Sequence, residues 1–274
     1  MKITNGKITN GKITKGYADG PFGQLHYQQC GDGIPVIMVH QSPDSMVQFL
    51  PVMQPLAAAG IHAIAVDIPG CGMSAVPDHP PTIAEYAAMV PAVMDHFGFD
   101  KASVLGHHTG AIIVTEAALQ APERIDKIVL NGPLPLTDEE RAYFLGMVEA
   151  EKSWAPRWDG SHLTEIWETR RAAQADWSNL DAFHTHIIHG QLAGAKVWYA
   201  HAAVMAYKHE EALPRITHPS LILANTGDAI YAQSQRAKEM RPDFAYTELE
   251  GGTIDIIDEQ PEAWAQAVAD FLKT

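Results

Sequence analysis

Five short apolar runs recur along the chain, each ending in a polar residue or a glycine: PVIMVH to His40, HAIAVD to Asp67, ASVLGH around Gly106, KIVLNG through Asn131 and SLILAN to Asn225. Continuous rather than alternating runs mark strands buried on both faces, as in a parallel sheet. Between them, helical periodicity covers roughly residues 46–59, 82–97 and 109–120, and EQPEAWAQAVADFLKT closes the chain as an amphipathic helix. Upstream, KITKGYADGPFGQLHYQQ reads as two strands joined by a Gly/Pro/Asp turn. The sum is an α/β protein with a mostly parallel, doubly wound sheet. Such sheets bind ligands at the carboxyl ends of their strands. Those ends carry His40, the turn after Asp67, His107 and His108, Asn131 and the loop around Asp228.

One segment interrupts the alternation. From about Leu136 to Leu213 no strand-like run occurs, only helical patterns rich in aromatics and histidines, opened by a capping box in TDEE, Thr137 to Glu140. The expected division is a core of residues 1–135 and 214–274 with a helical cap of residues 136–213. The cap would lie over the strand ends, with Trp154, Trp158, Trp198 and Tyr199 lining a pocket for a small, partly apolar substrate. The N-terminus repeats KITNG, KITNG, KITKG. Residues 1–11 are expected to form a flexible extension, with only the last copy joining the sheet.

Composition narrows the class. Of the 274 residues 46% are hydrophobic and 19% charged, and the formal charge is −14, which argues against nucleic acid or an anionic membrane as partner. Two cysteines, Cys30 and Cys71, make no disulfide framework. No apolar run reaches membrane-spanning length, and the lysine-bearing start lacks a secretory core. The expectation is a cytoplasmic protein whose partner is a small molecule, with a homodimer left open.

VLGHHTGA, Val104 to Ala111, has the glycine–x–nucleophile–x–glycine form of a strand-to-helix elbow, with His108 at the nucleophile position. With its neighbours this motif resembles the α/β-hydrolase superfamily, over almost the whole chain from about Lys12. VIMVHQSP looks like the strand ending in HGxP, and VDIPGCGMS is similar to DxxGxGxS. GHHTGA resembles the GHDxGA elbow of the epoxide-hydrolase and haloacetate-dehalogenase branch, and DEQPEAWAQAVADFL resembles the final helix. LILANTGDAIY looks like the turn carrying the triad acid, which the resemblance places on Asp228. The family's order is nucleophile, acid, then a histidine before the last helix. That last position falls on Ile254, and no histidine follows His218. A Ser-His-Asp triad is therefore impossible on this chain.

Three readings of His108 follow. As a general base, its long ring reaches into space the missing histidine vacates, held by Asp228 in a dyad, with the backbone amides of Ser42 and Thr109 as the oxyanion hole. His40 and Gln41 would then face the substrate, Gln41 standing where the family has glycine. As a nucleophile, His108 would need Asp228 or Asp255 as base. In the third reading the chain is a non-catalytic binder. With 14 histidines, a metal at FHTHIIHG (His184, His186, His189) or between His40 and His108 is a further alternative, but the spacing is not that of a zinc helix. The preferred expectation is a hydrolase or lyase without metal or cofactor. Ester, epoxide, carbon–halogen and carbon–carbon chemistry all remain open to it.

Overall fold

The computed structural model describes residues 11–173, 177 and 179–274. The first two KITNG copies lie outside them, up to Asn10. The described elements are, in order, β1 (Thr14–Gly20), β2 (Gly23–Cys30), β3 (Ile34–Val39), α1 (Leu50–Ala58), β4 (Ile61–Val66), α2 (Ile83–Ala87), α3 (Met89–Phe97), β5 (Ala102–His107), α4 (Thr109–Gln120) and β6 (Ile125–Asn131). Five helices follow without a strand: α5 (Asp138–Lys152), α6 (Ser161–Ala173), α7 (Leu180–Gln191), α8 (Trp198–Ala206) and α9 (His209–Ala212). The chain then completes the sheet with β7 (Ser220–Asn225), α10 (Tyr231–Met240), β8 (Ala245–Leu249), α11 (Ile256–Glu259) and α12 (Pro261–Lys273).

The eight strands form one sheet in the order β1-β2-β4-β3-β5-β6-β7-β8. Pairing is antiparallel at β1/β2 and β2/β4 and parallel elsewhere. Alternate residues of the central strands feed two cores. Val36, Met38, Ala63, Leu105, Val129 and Leu223 pack with Phe49, Leu56 and Trp264 of the α1/α12 layer. Ile37, Val39, Ile64, Val104, Leu130 and Ile222 pack with Val90, Met94, Ile112 and Ile113 of the α3/α4 layer. With both faces covered, β4, β5 and β7 are buried along their whole length and β3 and β6 over their last four residues, which is why they read as apolar runs.

Prolines account for the differences in helix boundaries. The single helix expected over residues 82–97 divides at Ala88, because Pro91 has no N–H and its ring crowds the carbonyl four residues back. Pro51 acts likewise on residues 46–59, where a 3₁₀ turn at Met46–Phe49 precedes α1. The Thr137–Glu140 capping box forms and starts α5. The last repeat copy enters β1 at Thr14. Among the described residues no helix is long and apolar enough to cross a membrane.

Candidate functional site

The site begins where β5 turns into α4. His108 sits between them at φ 48°, ψ −107°, and among the described residues no other non-glycine residue has positive φ. Local strain of this kind is held by surrounding structure. The His108 N–H donates to the Asn131 carbonyl on β6 at 2.9 Å. A Cβ on Gly106 would lie 2.1 Å from the Gly110 backbone, so the turn closes this tightly only around glycine.

The elbow aims the His108 ring at the end of β7. Its Nε2 is 2.8 Å from Asp228 Oδ2, and the Asp228 side chain is almost fully buried. Asp228 Oδ1 accepts the Ile230 N–H at 3.1 Å, which fixes the carboxylate. With an ionised Asp228, the proton of the neutral ring sits on Nε2. No hydrogen bond among the described residues uses His108 Nδ1.

Around this pair the loop after β3 is tightly bonded. His40 is fully buried, donates from Nδ1 to the Gln41 carbonyl at 2.6 Å and accepts the Ile68 N–H at Nε2, 3.0 Å. Both nitrogens are thereby committed, so His40 holds backbone rather than facing substrate or meeting His108. Gln41 is also buried, and its Nε2 reaches Asp255 Oδ1 at 3.2 Å. Ser42 follows, its Oγ buried without a partner among the described residues. Thr109 is the first residue of α4, where an N–H finds no carbonyl in its own helix.

His107 lies beneath His108, ring centroids 4.3 Å apart. Gln48 fixes its tautomer: Gln48 Oε1 accepts the Gln41 N–H at 2.9 Å, so Nε2 must donate to His107 Nδ1, also at 2.9 Å. The His107 proton is then on Nε2, and burial followed by the neighbouring His108 and His186 pushes its pKa well below the ordinary range. His107, His108 and Asp228 each place one donor atom within 4.8 Å of the others, as do Asp44, His186 and Asp255. In the first set Gln48 bonds His107 and Asp228 bonds His108; in the second His186 and Asp255 take part in the ion pairs described next.

The inserted helices grip the site through charges. His186 on α7 is buried between Asp44 Oδ2 at 2.5 Å and Asp258 Oδ2 at 2.7 Å. Burial alone would lower its pKa, but the charge of Asp44 and the hydrogen bonds to Asp258 and Asp44 push it up to about 10. Arg170 on α6 bonds both oxygens of the buried Asp255 at 2.7 Å. His189 Nδ1 is 2.9 Å from Ser45 Oγ. From α8, His201 Nε2 donates to the Ser42 carbonyl at 2.9 Å, and Nδ1 faces Glu151 of α5 at 2.8 and 2.9 Å.

The sequence offered little sign of Arg170, Gln48 or His201. FHTHIIHG did single out His186 and His189, whose partners prove to be Asp44, Asp258 and Ser45 rather than each other. Trp158 is fully exposed, Trp198 packs on the α3/α4-side core, and Tyr199 meets Trp198 edge-on. Trp154 contacts His162 edge-on. A cleft of about 570 Å³ opens beside the Asp228 turn, lined by Trp177, Asn179, Gly227, Gly252, Thr253 and Asp258 among others. Thr253 in its lining adjoins Ile254.

Comparison with known proteins agrees with this architecture. The chain is 33% identical over 116 residues to bifunctional epoxide hydrolase 2 of Sus scrofa, covering 40% of the chain and 20% of that protein. It is 32% identical over 114 residues to 2-hydroxy-6-oxononadienedioate/2-hydroxy-6-oxononatrienedioate hydrolase 1 of Dechloromonas aromatica, 40% of the chain and 39% of that protein. These matches thus span well under two thirds of either relative. The bromoperoxidase structure from Bacillus anthracis superposes with TM-score 0.80 at 18% identity, over 95% of this chain and all of that one. The sequence model of the α/β hydrolase fold matches residues 34–179, more than half of the chain, which therefore belongs to the α/β-hydrolase fold family.

Proposed function

We propose that the chain is a cofactor-free hydrolase or lyase acting on a small, partly apolar molecule, with His108 as general base and Asp228 as its orienter. The observation that carries this reading is the 2.8 Å His108 Nε2–Asp228 Oδ2 bond, which leaves Nδ1 as the basic nitrogen at a strained strand-to-helix elbow. In the ordinary triad an acid orients a separate imidazole toward the nucleophile. Here the imidazole stands at the elbow itself, so the activated group is water or an acidic substrate proton. For an ester, Nδ1 takes a proton from water as the water oxygen attacks the carbonyl carbon. The N–H groups of Ser42 and Thr109 receive the developing oxyanion, and the proton then passes to the departing alkoxide. Substrate would bind under the inserted helices. The hydrolase names of the relatives support a hydrolytic reaction on a small organic molecule without selecting among ester, epoxide and carbon–carbon bonds.

The test is a screen of small esters, lactones, epoxides and diketones, followed by substitution. His108→Ala and Asp228→Asn should each lower kcat by about 10²–10⁴-fold, the usual contribution of a general base, while circular dichroism stays native. Full activity in His108→Ala overturns the assignment. Binding of several compounds without turnover of any favours the second reading, a non-catalytic binder, for which the lack of any histidine after His218 speaks.

A further inference from the structure

The Ser42 backbone is flanked by two peptide groups, and each is held by a histidine from a different part of the molecule. On the near side, His40 Nδ1 holds the Gln41 carbonyl at 2.6 Å. The peptide is planar and its N–H points opposite its carbonyl, so this bond also sets the direction of the Ser42 N–H. On the far side stands the Ser42–Pro43 peptide. Proline has no N–H, so this group has one hydrogen-bonding atom, the Ser42 carbonyl oxygen. His201 Nε2 meets it at 2.9 Å. His201 belongs to α8 of the inserted helices and is braced through Nδ1 by both carboxylate oxygens of Glu151 on α5, at 2.8 and 2.9 Å. Both ring nitrogens face oxygen acceptors, the arrangement an imidazolium satisfies with two donors. Burial alone would lower the ring's pKa, but the Glu151 hydrogen bond and charge outweigh it and raise it.

We propose that His201 is a positioning residue: by holding the Ser42 carbonyl it fixes the Ser42 torsions and, together with His40, keeps the Ser42 N–H aimed at the substrate oxygen, so that this donor depends on the docking of α8. The proposal rests on the oxyanion role assigned to Ser42 above. Without His201 the Ser42–Pro43 peptide has no hydrogen bond among the described residues, and the Ser42 torsions are set from one side only. His201 needs no contact with substrate for this effect, since a 1 Å misplacement in a site can cost about 10²-fold in rate.

The experiment compares His201→Leu, which removes the donor, with His201→Gln, whose amide N–H can reach the same carbonyl. Hydrogen–deuterium exchange of the peptide spanning residues 41–48, measured on the free full-length protein, should quicken in His201→Leu and return toward wild type in His201→Gln. With a compound from the screen, His201→Leu should lower kcat by about tenfold to 10²-fold with KM little changed, and His201→Gln should recover most of it. Unchanged exchange in His201→Leu overturns the proposal, as does a loss confined to KM. Should His201→Leu not fold, Glu151→Ala removes the acceptor that braces Nδ1 while keeping the ring, and faster exchange at residues 41–48 is again expected, unchanged exchange again fatal. Activity retained in His108→Ala would remove the general-base reading, while the exchange comparison would still decide whether His201 holds the loop.

Discussion

Gly132 shows how little room the His108 ring has. At φ +64° it lies in a region that side chains avoid, and a Cβ there would stand 2.3 Å from His108 Cδ2, 2.7 Å from Nε2 and 3.3 Å from Asp228 Oδ2. The imidazole is thus packed against bare backbone on the side facing Asp228, and any side chain at 132 must push it off the carboxylate. Gly132→Ala should lower kcat toward the level of His108→Ala while costing the fold about 1–2 kcal/mol for the left-handed backbone. Steady-state kinetics with a thermal melt tests this, and an alanine variant with native kcat would mean that the ring does not work from its observed position. Histidine at the elbow is legible in GHHTGA, because the flanking Gly106 and Gly110 fix the register. Its partner Asp228 is legible from the NTGDA turn. The tautomer of His107 is not, because it depends on Gln48, 59 residues away in the chain.

At the scale of elements, the strands buried on both faces were readable because parallel sheets leave an unbroken apolar record. β8 was not. AYTEL is an edge strand with partly exposed side chains, so neither an apolar run nor a clean alternation marks it. The inserted helices gave their number away less well still, and their attachments not at all, since ion pairs between distant segments leave no periodicity. Those attachments meet the core on both flanks of the site: His186 to Asp44 and Asp258, Arg170 to Asp255, His201 to Ser42. Removing one partner of a buried ion pair typically costs about 3–5 kcal/mol. Arg170→Gln should therefore destabilise the protein on that scale and raise amide exchange in α6 and α7 well before the sheet is affected. Uniform exchange across helices and sheet would show that Arg170–Asp255 is no hinge point between them.

For the molecule as a whole, two buried groups set opposite ends of the pH range. Asp67 is nearly buried; burial would raise its pKa, but the His26 hydrogen bond, the nearby His40 and the N–H groups of Met46 and Met73 together lower it. A carboxylate depressed in the fold contributes stability above its unfolded pKa that is lost as pH falls through the folded value. His186 works in the other direction. Its folded pKa of about 10 exceeds the ordinary 6.5, so its contribution is complete below about 6.5, declines across the interval and is gone once pH has risen through about 10. Alkaline pH also adds negative charge to a chain already at −14, so wild-type stability alone would not isolate the histidine. The difference between wild type and His186→Gln does, because surface groups titrate in both. That difference, from urea unfolding at several pH values, should be large at pH 6 and shrink steadily toward pH 10, with the variant the less stable throughout the lower range. A difference that stays constant from pH 6 to pH 10 would mean that His186 binds no extra proton on folding and that Asp44 and Asp258 hold a neutral ring.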